Sequence, residues 1–179
     1  MVAEAKLEHL PEGLAAEGAG WYVLNARDVR WWQREGLGRW ADLEGDGDFP
    51  QLGMRVAVLR PGEPSGMYHA ETGQEDFLIV CGECVLVIEG EERQLKAWDF
   101  VHCPPWTGHT FVGAGDGPCI IVTVGARTGD DRILYPVNDV AATHGSSVET
   151  ETPLPKVAYA PYPREPLFTP YREGDLPGG

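Results

Sequence analysis

The stretch PGEPSGMYHAETGQEDFLIVCGE, residues 61–83, organises the reading of this chain. His69 and Glu71 stand at alternate positions, so on a strand their side chains leave the same face, and Tyr68 leaves the opposite one. Gly73 supplies a turn, Glu75 opens the next strand (Phe77-Leu-Ile-Val80), and Gly82 ends it. A second stretch, AWDFVHCPPWTGHTF at residues 97–111, runs through a Pro-Pro turn into His109. Imidazoles and carboxylates on neighbouring strand faces can converge on one divalent ion.

Around these two stretches the chain reads as short β-rich runs separated by Gly, Pro or acidic turns, with no helical stripe between them. The runs are Met54–Arg60, Met67–Glu71, Glu75–Val80, Cys84–Glu89, Arg93–Lys96, Phe100–Cys103, Thr110–Val112 and Cys119–Gly125. Strands of this length and spacing predict an all-β sandwich or barrel. Val85-Leu-Val-Ile88 is apolar at successive positions, which implies that both of its faces are covered.

Residues 54–125 resemble the cupin superfamily. Its first motif, G-x5-H-x-H-x3-4-E-x6-G, is matched by His69, Glu75 and Gly82. Gly62 stands one residue further upstream than the motif has it, and Glu71 takes the place of the second histidine. The second motif, G-x5-P-x-G-x2-H-x3-N, is matched by Pro104 and His109, whereas Trp98 and Trp106 replace its glycines and Gly113 its asparagine. The resemblance implies a single RmlC-like jelly-roll barrel holding a metal on His69, Glu71, Glu75 and His109. Without Glu71 the set reduces to two histidines and one carboxylate with open positions, the arrangement associated with non-haem Fe(II). In that version Glu71 is free to act as a catalytic base. The implied cofactor is one divalent transition metal, with Fe, Mn, Zn and Ni all open. Degenerate, metal-free members of the superfamily are the competing case.

The flanks divide the chain into three zones: an N-terminal extension (1–50) packing on the barrel, the barrel (51–126), and a proline-rich, mostly extended C-terminal segment (127–179). In the first zone Trp31-Trp32 reads as edge-strand or lid packing, and residues 44–50 read as a loop. In the last, prolines from Pro136 to Pro177, Pro163 among them, leave room for at most one short helix near residues 138–143. Tyr159, Tyr162, Phe168 and Tyr171 supply apolar anchors for wrapping the barrel or a partner, and disorder competes for the final dozen residues.

Composition bounds the function. The 179 residues include 23 glycines and 15 prolines, about one residue in five, which is turn-rich yet below low-complexity usage. Twenty-eight acidic against 14 basic residues give a net charge of −14, which opposes nucleic-acid binding. No apolar run approaches the roughly 20 residues of a spanning helix. The start, MVAEAKLEHLPEGL, has glutamates where a signal peptide is basic, so a cytoplasmic protein is expected. Cys81-Gly-Glu-Cys84 has zinc-site spacing, but it flanks the motif glycine and has no second pair, so buried thiols are the expectation. His102 reads as a packed or surface residue, whereas Trp106 is positioned to narrow a pocket mouth beside His109. These readings lead to a metal-dependent enzyme, of oxygenase or isomerase type, acting on a small organic molecule. The alternative is a non-catalytic module binding a sugar or organic acid. The resemblance further implies a homodimer.

Overall fold

In the computed structural model, which describes residues 1–47, 49–162 and 165–178, all eight expected runs contain strand, seven with small shifts of their ends and Met67–Glu71 reduced to Ala70–Glu71. Asp48 of the 44–50 loop and Pro163 of the tail lie outside the described residues. A hairpin of β1 (Lys6–Leu10) and β2 (Gly13–Glu17) comes first, followed by β3 (Trp31–Gln33) and β4 (Arg39–Ala41). The barrel strands are β5 (Leu52–Leu59), β6 (Ala70–Glu71), β7 (Glu75–Cys81), β8 (Glu83–Ile88), β9 (Glu91–Lys96), β10 (Phe100–Cys103), β11 (His109–Ala114) and β12 (Cys119–Ala126). The C-terminal segment adds β13 (Ile133–Leu134), α1 (Asp139–Thr143), α2 (Pro155–Ala158) and β14 (Leu167–Thr169).

Two antiparallel sheets face each other. One has the order β10-β7-β12-β5-β4-β3-β14 and the other β11-β8-β9, while β13 pairs with β6. Between them lies a core containing Leu59, Phe77, Ile79, Leu86, Phe111 and Ile121. Alternation along each strand sorts the side chains. On β5 Leu59 points inward and Val58 outward; on β12 Ile121 points inward and Ile120 outward. The outward residues meet Val29, Trp31 and Ala41, so a second core lies beneath the N-terminal zone. On β8 Leu86 belongs to the inner core, and Val87 packs outward on Tyr68 and Ala141 of α1. Both faces of this strand are therefore covered, as its unbroken apolar run implied.

Three expectations need correction. Trp31-Trp32 is neither edge strand nor lid: β3 lies between β4 and β14, and Trp31 is fully buried in the second core. The tail holds two short helices instead of at most one. Asn138 caps α1 through its side chain to Ala141 N–H, whereas Pro155 opens α2, a position where its missing N–H costs nothing. Near the end of the described residues the tail is anchored, with Asp175 only 1% exposed. Among the described residues no helix is long and apolar enough to cross a membrane.

The three departures from the second motif have distinct structural consequences. Trp98 and Trp106 have φ of 75° and 68°, so the backbone keeps the left-handed conformation natural to glycine while carrying the bulkiest side chain. At Gly113 a Cβ would stand 2.1 Å from the Arg60 carbonyl oxygen, which excludes asparagine as β11 is packed here. Trp98 is 76% exposed and has little packing to lose. Trp98→Gly is therefore expected to stabilise the fold by about 1 kcal/mol, the cost of a non-glycine residue in this conformation. Urea unfolding of parent and variant measures the difference.

Candidate metal centre

The two histidines are brought together by backbone pairing. His69 and His109 face each other across an antiparallel bridge, exchanging N–H···O=C bonds of 3.2 and 2.9 Å. Directly paired residues project to the same side, which leaves the imidazole centroids 4.9 Å apart. Glu75 enters from the first position of β7, beside Gly125 of β12. His69, Glu75 and His109 each offer one ligand atom, all within 4.8 Å of one another.

Hydrogen bonding orients both rings. His69 Nδ1 lies 2.8 Å from the Met67 carbonyl and His109 Nδ1 3.0 Å from that of Thr107. Each Nδ1–H donates to its carbonyl, so each Nε2 lone pair points at the space before Glu75. Glu75 Oε2 lies 3.2 Å from His109 Nε2 and 4.0 Å from His69 Nε2. That oxygen is buried and has no hydrogen bond of acceptable alignment. Three electron-pair donors face one another, and the set could hold a divalent transition metal between them. Lacking one, a proton takes its place. Burial alone would lower the pKa of His109, but Glu75 outweighs burial and raises it. Burial opposes the charged form of Glu75, and His109 outweighs that too, leaving its pKa lowered. His69 is held low by burial, then by the charge of His109.

Glu71 lines the same cavity but lies outside the triad. Its pKa is pushed up to about 7 by burial, with the Glu75 charge adding to the effect. The folded value exceeds the ordinary 4.5, so this stabilising contribution is complete below about 4.5 and is lost as pH rises through about 7. In metal-stripped protein Glu71→Gln is expected to remove that loss. Urea unfolding at about pH 5 and about pH 7.5 checks it, the parent weakening more than the variant.

The cavity, about 310 Å³, has aromatic walls that include Phe77, Phe111, Tyr135 and Tyr159. It shares Arg55, Glu71, Glu75 and Thr123 with an adjoining hollow of about 200 Å³. A larger hollow of about 780 Å³ lies by α1 and α2 and holds none of the triad; the ring of His144 there is paired with Glu92 at 2.7 Å.

Other sequence candidates fall away from the centre. Tyr68 is buried on the opposite side, as its parity implied. His102 is a surface residue bonded to Asp76 at 2.6 Å. Trp98 and Trp106 do not line the cavity, although the Trp106 N–H donates to the Glu71 carbonyl at 2.7 Å. Cys84, Cys103 and Cys119 are buried thiols of the inner core, and Cys81 is half-buried. Arg55 and Tyr135 were not singled out from sequence, and Tyr159 only as an apolar anchor of the tail. Arg55 had a signal, since it shares the inward parity of Ala57 and Leu59 on β5. Tyr135 lies beyond the motifs and had none.

Residues 55–125 match the family model of the cupin domain. Over these residues the chain is similar to cupin domains, and the two facing antiparallel sheets described above have the double-stranded β-helix fold of RmlC-like cupins. An RmlC-like cupin from Shewanella frigidimarina superposes with a TM-score of 0.53 at 18% identity, over 62% of this chain and 95% of that one. A sugar phosphate isomerase of the cupin superfamily from Silicibacter pomeroyi gives a TM-score of 0.50 at 27% identity, over 56% of this chain and 65% of that one. In sequence the chain is similar to a 5-nitrosalicylic acid 1,2-dioxygenase from a Bradyrhizobium species, 28% identical over 106 residues. That match covers 59% of this chain and 43% of the dioxygenase, so it spans less than half of the relative's length.

Proposed function

We propose that the chain is a metal-dependent enzyme of oxygenase type acting on a small organic molecule, with the metal held by His69, His109 and Glu75. The observation that carries this reading is the buried, unbonded Glu75 Oε2 facing two imidazoles whose Nδ1 atoms are both engaged elsewhere. Two histidines and one carboxylate leave coordination positions open, the donor pattern of non-haem Fe(II) sites. When bound, such an ion supplies a Lewis acid and a place for O2 and substrate side by side. The aromatic walls exclude water and bind the apolar body of a substrate. Glu71, outside the triad and shifted toward neutrality, accepts or returns a proton at its carboxylate. The dioxygenase relative supports oxygen chemistry over isomerisation.

The test is elemental analysis of untagged protein, followed by anaerobic loading with Fe(II) and exposure to nitric oxide, an O2 surrogate. One equivalent of metal and a nitric oxide complex detected by electron paramagnetic resonance are expected. A protein that takes up none of Fe(II), Mn(II), Zn(II) or Ni(II) would instead be the small-ligand binding module.

A further inference from the structure

The cavity contains two donors that the metal site does not use. Arg55 projects inward from β5 and is exposed, and no carboxylate among the described residues lies within ion-pairing distance of it. Its guanidinium carbon stands 5.6 Å from the Trp40 ring centroid, and its charge reaches His69, Glu71 and Glu75. Tyr135 is 3% exposed and lines the same cavity, its ring centroid 6.0 Å from that of His69. The hydroxyl oxygen of its neighbour Tyr159 accepts a hydrogen bond from the Met67 backbone N–H at 3.2 Å, whereas the Tyr135 hydroxyl has no hydrogen-bond partner among the described residues. The Tyr135 ring is buried, but its hydroxyl oxygen is not among the buried unpartnered atoms, so it stays accessible and free to bond a ligand in the cavity that the residue lines. Tyr135 follows β13, which pairs with β6 beside His69, so a segment beyond the cupin domain supplies this group.

Charge points to the ligand. Glu71 and Glu75 contribute at most two negative charges and Arg55 one positive, and a divalent ion at the triad turns the sum positive. An acidic protein then presents a cationic, aromatic-walled pocket, which selects an anion with a flat apolar body. We infer that this site binds small aromatic carboxylates, the acid group meeting the Arg55 guanidinium and the Tyr135 hydroxyl donating a second hydrogen bond. The inference rests on the metal-centre reading for the sign of the pocket's charge. Arg55 and Tyr135 are specificity-determining groups in it, and Tyr135 is the contribution of the tail.

Titration calorimetry of Zn(II)-loaded protein with benzoate and with benzamide, its neutral counterpart of like shape, tests this. Benzoate is expected to bind roughly tenfold or more tightly than benzamide, the usual advantage of a charge-assisted bond. Arg55→Gln should abolish that preference and Arg55→Lys should keep part of it. Tyr135→Phe should weaken benzoate about threefold to tenfold without lowering Tm or zinc content, because its hydroxyl has no partner to lose in the free protein. Equal binding of the two probes, or no saturable benzoate binding up to about 10 mM, overturns the inference. So does a benzoate preference that survives Arg55→Gln, which would assign the anion to the metal alone. Zinc content measured on the same samples separates the two readings. If zinc is absent the metal reading fails, and an Arg55-dependent benzoate preference in that metal-free protein still upholds the carboxylate site.

Discussion

His109→Ala is expected to empty the metal centre, lowering affinity for Zn(II) or Fe(II) by roughly a hundredfold or more. Loss of an outer-sphere partner alone typically costs 10–100-fold, and His109 is proposed as a ligand itself. His109 is 3% exposed, held by backbone pairing to His69 and oriented by Thr107. In metal-free protein the variant also takes away the partner of the buried Glu75 carboxylate, so some loss of stability is expected with or without metal. The signature is therefore in the response to metal: added Zn(II) raises the Tm of the parent by mass action and leaves that of the variant unchanged. Glu71→Gln, outside the triad, should keep full occupancy. Thermal unfolding with and without Zn(II), alongside elemental analysis, measures both. Loss of occupancy in Glu71→Gln would make Glu71 a fourth ligand instead.

The largest effect on stability is expected at Asp175, near the end of the chain. Its carboxylate is 1% exposed and receives Arg39 Nη1 at 2.5 Å and Arg60 Nη2 at 2.9 Å. Arg39, itself 4% exposed, also donates through Nη2 to Thr169 Oγ1 at 2.7 Å and to the Pro170 carbonyl at 2.6 Å. This network ties the tail to β4 and β5, the strands that close the second core around Trp31. Asp175→Ala leaves the Arg39 guanidinium buried without its counter-charge, which typically costs about 3–5 kcal/mol. The double variant Arg39→Met, Asp175→Leu should recover most of that loss, since a buried pair replaced by apolar groups of similar volume is close to neutral. Urea unfolding gives the energies, and limited proteolysis should cut the tail of Asp175→Ala but not that of the double variant.

The barrel strands were legible because each is a local pattern: a short apolar or alternating run ended by Gly, Pro or acidic residues. The regular part of β6 is shorter than its run, since Met67 and Tyr68 pack under the tail and not in a ladder. Short strands such as β3 and β4 carry too few residues for a period to emerge, which is why Trp31-Trp32 was misread as an edge. The second helix was missed because Pro155 argues against helix everywhere except at its first turn.

For the site, the resemblance read from the sequence named His69, Glu71, Glu75 and His109 as the candidate ligands. Their spacing is tied to strand alternation and turn length, and these follow from backbone geometry at short range. The tertiary structure decided the rest. It leaves Glu71 outside the triad, sets Arg55 at the cavity, brings in Tyr135 from beyond the cupin domain, and locks the tail through Asp175. Those choices join residues far apart in the chain through packing and desolvation, and no local spacing records them.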